Sequence, residues 1–545
     1  MSSGGVPVSS EITTRRVAWS PMVAVLIFAT AVRWIFYSGF FGSDEVTYTA
    51  SAFKLLQGDW SVSTYVGANR YGINLPVAFM AWLFGKSEFS AAIYSVICSL
   101  AEIALVLHFG ARMLGARAAL LAGLLLASLP THVHFAGRLM ADAPLCLAIT
   151  ASFLFFYDGE TRKRRLSWLL AGAAAGWSFW IKPVTIFYLG VLLVYPFVFR
   201  RFDWRWAWVA LGFIVVVLAN NLLFLHLTDR FWFLFETMSE RRDSGYLETE
   251  LAAGTQLDAP YYYLTYLFVK IYHTGLLGPL AAIGAARYWF ARHRIDGEHR
   301  YGLDVVMWWG FGLLLIFSIL VVSFSPVVFV PKQTNYMLIF AAPLCMLGGY
   351  ALAQFEQHVQ WVLATISVVL ALLFSALLQT SILAFTANSK AVLAFAHERP
   401  DTLVFANTNG YRAALFEQLV RPSSSTENVH FIGDFYKPNA SCDAAWSTRD
   451  RFVVIDTETL SWGRDELIKN LSDVPACWVA NGTLAPKIGG IGATIVRQVL
   501  KLLETTPLEG KSLAKRIEKI VTPKSAHVFL IPSATCKAMA VSLSE

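Results

Sequence analysis

Apolar runs of about 20 residues, each long enough to cross the hydrocarbon core of a bilayer, recur through the first 386 residues. They constrain the fold before any motif is considered. Backbone polar groups inside that core have to be satisfied within the chain, so runs of this length read as helices. Roughly eleven spans are expected by that rule, near 17–39, 91–111, 117–132, 141–157, 167–181, 184–199, 206–228, 261–286, 304–323, 335–353 and 361–386. Composition agrees: of 545 residues 56% are hydrophobic and only 15% charged, with a mean hydropathy of +0.52. Soluble domains carry about 25% charged residues. Eighteen Trp and forty Phe suit a lipid-facing surface with interfacial aromatics.

The net charge of +7 is no argument for nucleic-acid binding, because cytoplasmic loops of membrane proteins collect Lys and Arg. The cations are segregated accordingly. Arg15 and Arg16 precede the first span; Arg112 and Arg117, Arg162–Arg165, Arg200 to Arg205, and Arg287 to Arg300 occupy alternate loops. This pattern expects the N-terminus in the cytoplasm. The last inner loop, Gln354–Gln360, carries no Lys or Arg, so counting alone orients it. A cleavable signal peptide is the rival reading of the N-terminal stretch. The run Val17–Phe40 is long and aromatic and closes on no Ala-x-Ala site, so an uncleaved first helix is expected.

With that orientation, Gly42–Trp60, His132–Asp142, Lys182-Pro183, Thr228–Pro260 and Ser325–Asn335 all lie outside. Within the first outer loop, Glu45–Leu56 has an apolar rhythm that fits an interfacial amphipathic helix, and Pro76–Phe84 forms a second candidate too short to span. Beyond residue 387 alternating apolar segments at Leu403–Ala406, Val429–Gly433, Arg451–Asp456 and His527–Pro532 predict an α/β domain of about 155 residues. The expected domains are therefore 1–386, transmembrane, and 387–545, an extracytoplasmic α/β domain. The basic stretch Lys501–Lys519 in it reads as a solvated helix face, with a lipid-headgroup contact as the rival. Cys98, Cys146 and Cys345 read as core residues. Cys442, Cys477 and Cys536 are an odd set whose spacing selects no disulfide. No metal-site motif occurs.

Ionisable groups near a bilayer cost energy and are candidates for function. Here they gather at outer helix ends: Asp44-Glu45 after the first span, Arg138 and Asp142 entering the fourth, Lys182 before Pro183, Arg241-Arg242 in the long loop, and Lys332 before Asn335-Tyr336. Taken singly, the lysines also fit snorkelling side chains and Asp142 fits a helix cap. Glu102, His108 and Asn220-Asn221 read as interhelical hydrogen-bonding groups. Together, acids and bases at one level suit a site that pairs anion binding with a carboxylate base.

The stretch Ser43-Asp44-Glu45-Val-Thr-Tyr48 followed by Gly58-Asp59-Trp60 resembles the first-loop signature of the GT-C fold glycosyltransferases. Within them it is most similar to the protein O-mannosyltransferases and the bacterial aminoarabinose transferases that act on lipid A. The likeness continues through Tyr71–Trp82, Gly85–Phe89, Arg138–Leu145, Lys182-Pro183 and Pro331–Pro343, about residues 20–350. The α/β tail is similar to that family's periplasmic appendage.

The resemblance implies transfer of a sugar from a polyprenyl-phosphate carrier to an acceptor on the outer face of a bacterial inner membrane. It places Asp44 at the essential first-loop carboxylate and Asp142 at the acidic residue opening the fourth span. Two departures stand out. Relatives carry a Lys before the first-loop prolines where this chain reads Arg70-Tyr-Gly-Ile-Asn74-Leu-Pro76, and an Arg where it has Asn335.

A leaving phosphate needs charge stabilisation, which assigns Arg70, Arg138, Lys182 and Lys332 to the carrier. One carboxylate then serves as base, expected to be Asp44, in a single inverting displacement with Asp142 orienting it or the acceptor. Glu45, Tyr48, Tyr71, Asn74, Tyr336 and the Tyr261–Tyr263 run are the expected lining of the substrate pocket. No protein-held metal is expected, and a divalent cation is left open as a cofactor. Expected partners are the lipid-linked donor, a glycan, lipid or protein acceptor and membrane lipids. The rival classes are a flippase of lipid-linked sugars and a non-catalytic envelope scaffold. The residues do not select the sugar or the acceptor.

Overall fold

The computed structural model describes residues 19–531 apart from 184–185, 200–201, 244–258, 325–326, 331, 423–425, 436–450, 461–467, 475–477 and 487. The apolar runs do form helices: α1 Trp19–Ile35, α4 Glu88–Met113, α5 Ala116–Ser128, α6 Pro130–Ala136, α7 Asp142–Arg162, α8 Arg165–Ile181, α9 Ile186–Phe199 and α10 Ala207–Thr228. The stretch between α1 and α4 supplies α2 Asp44–Leu56 and α3 Tyr71–Phe84, both close to the short helices expected there. Later come α11 Phe233–Asp243, α12 Tyr262–Phe268, α13 Leu277–Ala291, α14 Gly297–Ile319, α15 Ala341–Ala353 and α16 Gln357–His397. By length and composition, five described helical segments suffice to cross a membrane, or six if the bent α5–α6 pair is one span.

Three expectations need correction. The run 117–132 is not one straight helix: Leu129 leaves helical geometry before Pro130, and α5 and α6 meet at 60°, as expected where a proline restricts its predecessor. The run 261–286 is two helices, α12 and α13, separated by a turn through Gly275 at φ +59°, a left-handed conformation that favours glycine. The segment around residues 321–329, expected to finish a span and enter a loop, is instead a short antiparallel hairpin of β1 Val321–Phe324 and β2 Val327–Phe329.

Small residues let the helices approach closely, as in other membrane bundles. Gly172 of α8 lies against the Val209 carbonyl of α10, and Gly212 of α10 against the Leu169 carbonyl; a Cβ on either would overlap backbone. A single apolar cluster runs through α1–α9 and α12–α16, with Trp168 and Trp309 fully buried in it.

Helix α16 continues past residue 387 to His397 before the sheet begins. That sheet has the order β4 (Val429–Phe431), β3 (Leu403–Ala406), β5 (Arg451–Ile455), β7 (Ala526–Ile531), β6 (Val479–Leu484). β4, β3 and β5 run parallel, whereas β7 and β6 are antiparallel to their neighbours. Four of these strands lie on the alternating segments read from the sequence. β6 does not: Val479-Ala-Asn-Gly-Thr-Leu484 carries no apolar alternation and is largely exposed. Among the described residues the tail also has a helical turn at Ile432–Phe435 and the helices α17 Thr408–Val420, α18 Ile491–Glu504 and α19 Leu508–Val521. Cys98, Cys146 and Cys345 are buried free thiols, while Cys442, Cys477 and Cys536 lie outside the described residues.

Candidate active site

Helix α2 starts at the acidic pair, where carboxylates meet the positive end of the helix dipole. The two carboxylates then diverge. Glu45 folds back over the preceding turn and accepts from the backbone N–H groups of Phe41 at 2.6 Å, Gly42 at 3.2 Å and Ser43 at 3.0 Å. Asp44 points the other way, about one-third exposed. It accepts from the hydroxyls of Tyr48 at 3.2 Å and Tyr65 at 3.4 Å, with Arg70 Nη1 at 3.9 Å. Arg70 also donates to the Tyr48 hydroxyl and lies over its ring at 5.5 Å. Burial pushes the Tyr48 phenol well up, opposed by Arg70 and assisted by Asp44, Tyr65 and Asp142. Tyr48 therefore keeps its proton and donates a hydrogen bond to the Asp44 carboxylate.

Arg138 lies between α6 and α7, four residues before Asp142. It is buried, with Nη2 3.7 Å from Glu45 Oε1, Nη1 3.1 Å from His134 Nε2, and its guanidinium 4.2 Å from the Phe41 ring centroid. Burial lowers its pKa against the opposing pull of Glu45, Asp142 and Asp44, so all three carboxylates act on it. Removing this charge leaves Glu45 buried without its cation. Arg138→Gln is expected to destabilise the folded protein by about 3–5 kcal/mol, and Glu45→Gln in the same chain should restore part of the loss. Thermal unfolding of the purified variants in detergent checks this.

Asp142 opens α7 and is buried. Its Oδ1 accepts from Asn335 Nδ2 at 3.0 Å and lies 3.8 Å from Lys182 Nζ. Its Oδ2 has no hydrogen bond among the described residues. Helix α8 stops at Ile181 ahead of Pro183, which leaves Lys182 at the helix end with its ammonium 4.2 Å from the Tyr336 ring centroid. Asn335 thus supplies Asp142 with a neutral donor.

The expected residues therefore fall into two linked groups: Asp44, Tyr48 and Arg70, and Asp142, Lys182, Asn335 and Tyr336, with Glu45 and Arg138 between them. Asp142 bonds Asn335 rather than Asp44. Tyr71 stacks on Trp60 at 6.2 Å, and the Asn74 amide donates to the Ala68 carbonyl at 2.6 Å. Lys332 is buried beside the Val330 carbonyl at 3.3 Å, with the Phe329 ring centroid 5.0 Å away. Tyr263 is buried edge-on to Phe340, whereas Tyr261 is exposed. The side chains of Arg241 and Arg242 lie outside the described residues. Several buried polar atoms here make no hydrogen bond among the described residues, namely Arg70 Nε, Asn74 Oδ1, Arg138 Nε and Asp142 Oδ2. Buried polar groups are normally paired, so these four atoms have hydrogen-bonding capacity left for a polar ligand or water.

Two contributors were not read from the sequence. Tyr65 reaches Asp44 from 21 residues away in a polar loop without periodicity. The other is α17 of the tail. Arg412 Nη1 donates to the Gly42 carbonyl at 3.1 Å, Phe416 stacks on Phe40 at 4.7 Å, and Asn409 lies where a Cβ on Gly42 would point. The carboxylate-bearing turn is thereby held between α2 and the tail.

Against known proteins, residues 73–224 match the family model described as dolichyl-phosphate-mannose-protein mannosyltransferase. The fold is similar to that of ArnT from Cupriavidus metallidurans bound to undecaprenyl phosphate, with a TM-score of 0.56 at 17% identity over 81% of this chain and 94% of that one. The apo state of ArnT from Cupriavidus metallidurans gives 0.53 at 16% identity, over 85% and 96%. No curated protein sequence matches significantly.

Proposed function

We propose that this chain, a membrane protein with the fold of the GT-C glycosyltransferases, transfers a sugar from a polyprenyl-phosphate carrier to an acceptor hydroxyl. The observation that carries the reading is the pairing of a partly exposed carboxylate, Asp44, with the partly buried cation Arg70. Asp44 takes the proton from the acceptor hydroxyl, whose oxygen attacks the anomeric carbon. The bond from that carbon to the phosphate oxygen breaks on the opposite face, giving inversion, and the electron pair leaves with the carrier phosphate. Such a leaving group needs cations already in position, a role for Arg70 and Lys182. Arginine adds bidentate reach toward phosphate.

Asp142 holds Lys182 and Asn335 in place. Glu45 and Arg138 are positioning residues, because the three N–H bonds of Glu45 fix the turn that aims Asp44. In this reading the site faces the periplasm from the inner membrane, and the tail beyond residue 387 is a periplasmic domain. The ArnT bound to undecaprenyl phosphate supports the donor class. Mass spectrometry of envelope lipids and glycans from a deletion strain tests the proposal. One glycan or glycolipid should lack a single sugar, restored by the wild-type chain and not by Asp44→Asn. An unchanged glycan profile contradicts it.

A further inference from the structure

Helices α18 and α19 have two apolar faces between them, and only one is covered. On the covered side, Val496, Leu500, Ile517 and Val521 share an apolar cluster with Phe28, Val32 and Phe36 of the first span and with Leu372, Ala376 and Leu377 of α16. The pair is pinned there by Gln379, which accepts from Gly492 N–H at 3.2 Å and donates to the carbonyls of Ile35 at 3.2 Å and Tyr37 at 2.7 Å. Phe28 lies about two turns in from the end of α1, roughly 10 Å at 1.5 Å per residue. The pair therefore packs against the sides of α1 and α16, the latter long and apolar enough to cross a membrane.

The uncovered side has a matching character. Ile491, Leu502, Leu513 and Ile520 are exposed, Leu502 at 67%. Arg497, Lys501, Lys511, Lys515, Arg516 and Lys519 stand beside them against Glu504, Glu509 and Glu518. Among the described residues none of these six cations is in an ion pair. A solvated face accounts for the lysines and leaves the exposed leucines and isoleucines without a reason. An interfacial amphipathic helix accounts for both.

We propose that α18 and α19 form a membrane-surface anchor at the site-bearing face of the bilayer. Its apolar edge enters the acyl chains and its lysines and arginines take the phosphates of anionic phospholipids. The anchor ties the tail, and through α17 the Gly42 turn, to the lipid surface. This proposal does not depend on the transfer reaction.

The test uses the full chain in nanodiscs of phosphatidylcholine alone or mixed with phosphatidylglycerol. A bilayer-soluble carbene reagent, mapped by mass spectrometry, should label Leu502, Leu513 and Ile520 in both. Acylation of Lys511, Lys515 and Lys519 should slow in the anionic discs, by about fivefold if one headgroup contact protects each lysine, and recover at high salt. Absent labelling with equal lysine rates overturns the proposal, as does labelling whose lysine rates ignore the lipid charge. Protection that appears only when two copies share a disc also overturns it, because the occupant is then a second copy.

Discussion

Asp44→Asn is expected to lower sugar transfer by about 10²- to 10⁴-fold, the usual contribution of a positioned general base, while the protein accumulates in the membrane at normal levels. The amide keeps the shape of the carboxylate, and its oxygen still accepts from Tyr48 or Tyr65. What disappears is the capacity to take the acceptor proton. Tyr65→Phe removes one hydrogen bond to Asp44 and leaves that capacity, so it should cost far less, on the order of tenfold for about 1.4 kcal/mol. Rates of product formation with saturating donor separate the two. Equal losses in both variants would point to a structural role for Asp44 instead.

Gly42→Ala carries the second large effect, and it arises from outside the chemistry. Gly42 has φ +94°, where a side chain is strained, and a Cβ there would overlap the Asn409 side chain. A strained backbone position costs about 1–3 kcal/mol. The turn it would displace carries Asp44 and the three N–H groups that hold Glu45. Misplacing a reacting group by about 1 Å can cost on the order of 10²-fold, and a loss of that size is expected in the transfer rate. Adding Asn409→Ala removes the overlap but not the backbone strain, so the double variant should recover part of the activity. Transfer rates of the single and double variants at matched protein levels measure the split. Full recovery would leave only the overlap, and no recovery would leave only the strain.

The order of helices and the gathering of charged residues at helix ends were legible because both rest on local signals. Length and apolarity mark most of the helices, five or six of them long enough to cross a membrane among the described residues, and the carboxylates and cations sit at helix ends where hydropathy changes. The split between Asp44 and Glu45 was readable only in part, since a carboxylate that turns back on its own helix start is a matter of rotamer and packing. Breaks inside apolar runs were missed because hydropathy averages over them: Pro130 bends α5 and α6 without interrupting the hydrophobic signal, as does the turn at Gly275. Strand β6 was invisible because it is largely exposed and only Leu484 packs on the apolar cluster beneath the sheet. The contact of Arg412 with Gly42 joins residues 370 apart, and no periodicity in either segment announces the other. The basic stretch Lys501–Lys519 showed its charge in the sequence, but its depth against α1 and α16 is a property of packing.

The most direct measurement is carrier release by the purified full-length protein. A polyprenyl-phosphate sugar and an acceptor fraction from the envelope are supplied, and free polyprenyl phosphate and glycosylated acceptor are followed together. One carrier is expected to be released per sugar transferred, with both signals lost in Asp44→Asn and both weakened in Arg70→Ala. Wild-type protein that moves the intact lipid across the bilayer without releasing carrier, or Asp44→Asn at the wild-type rate, would contradict it.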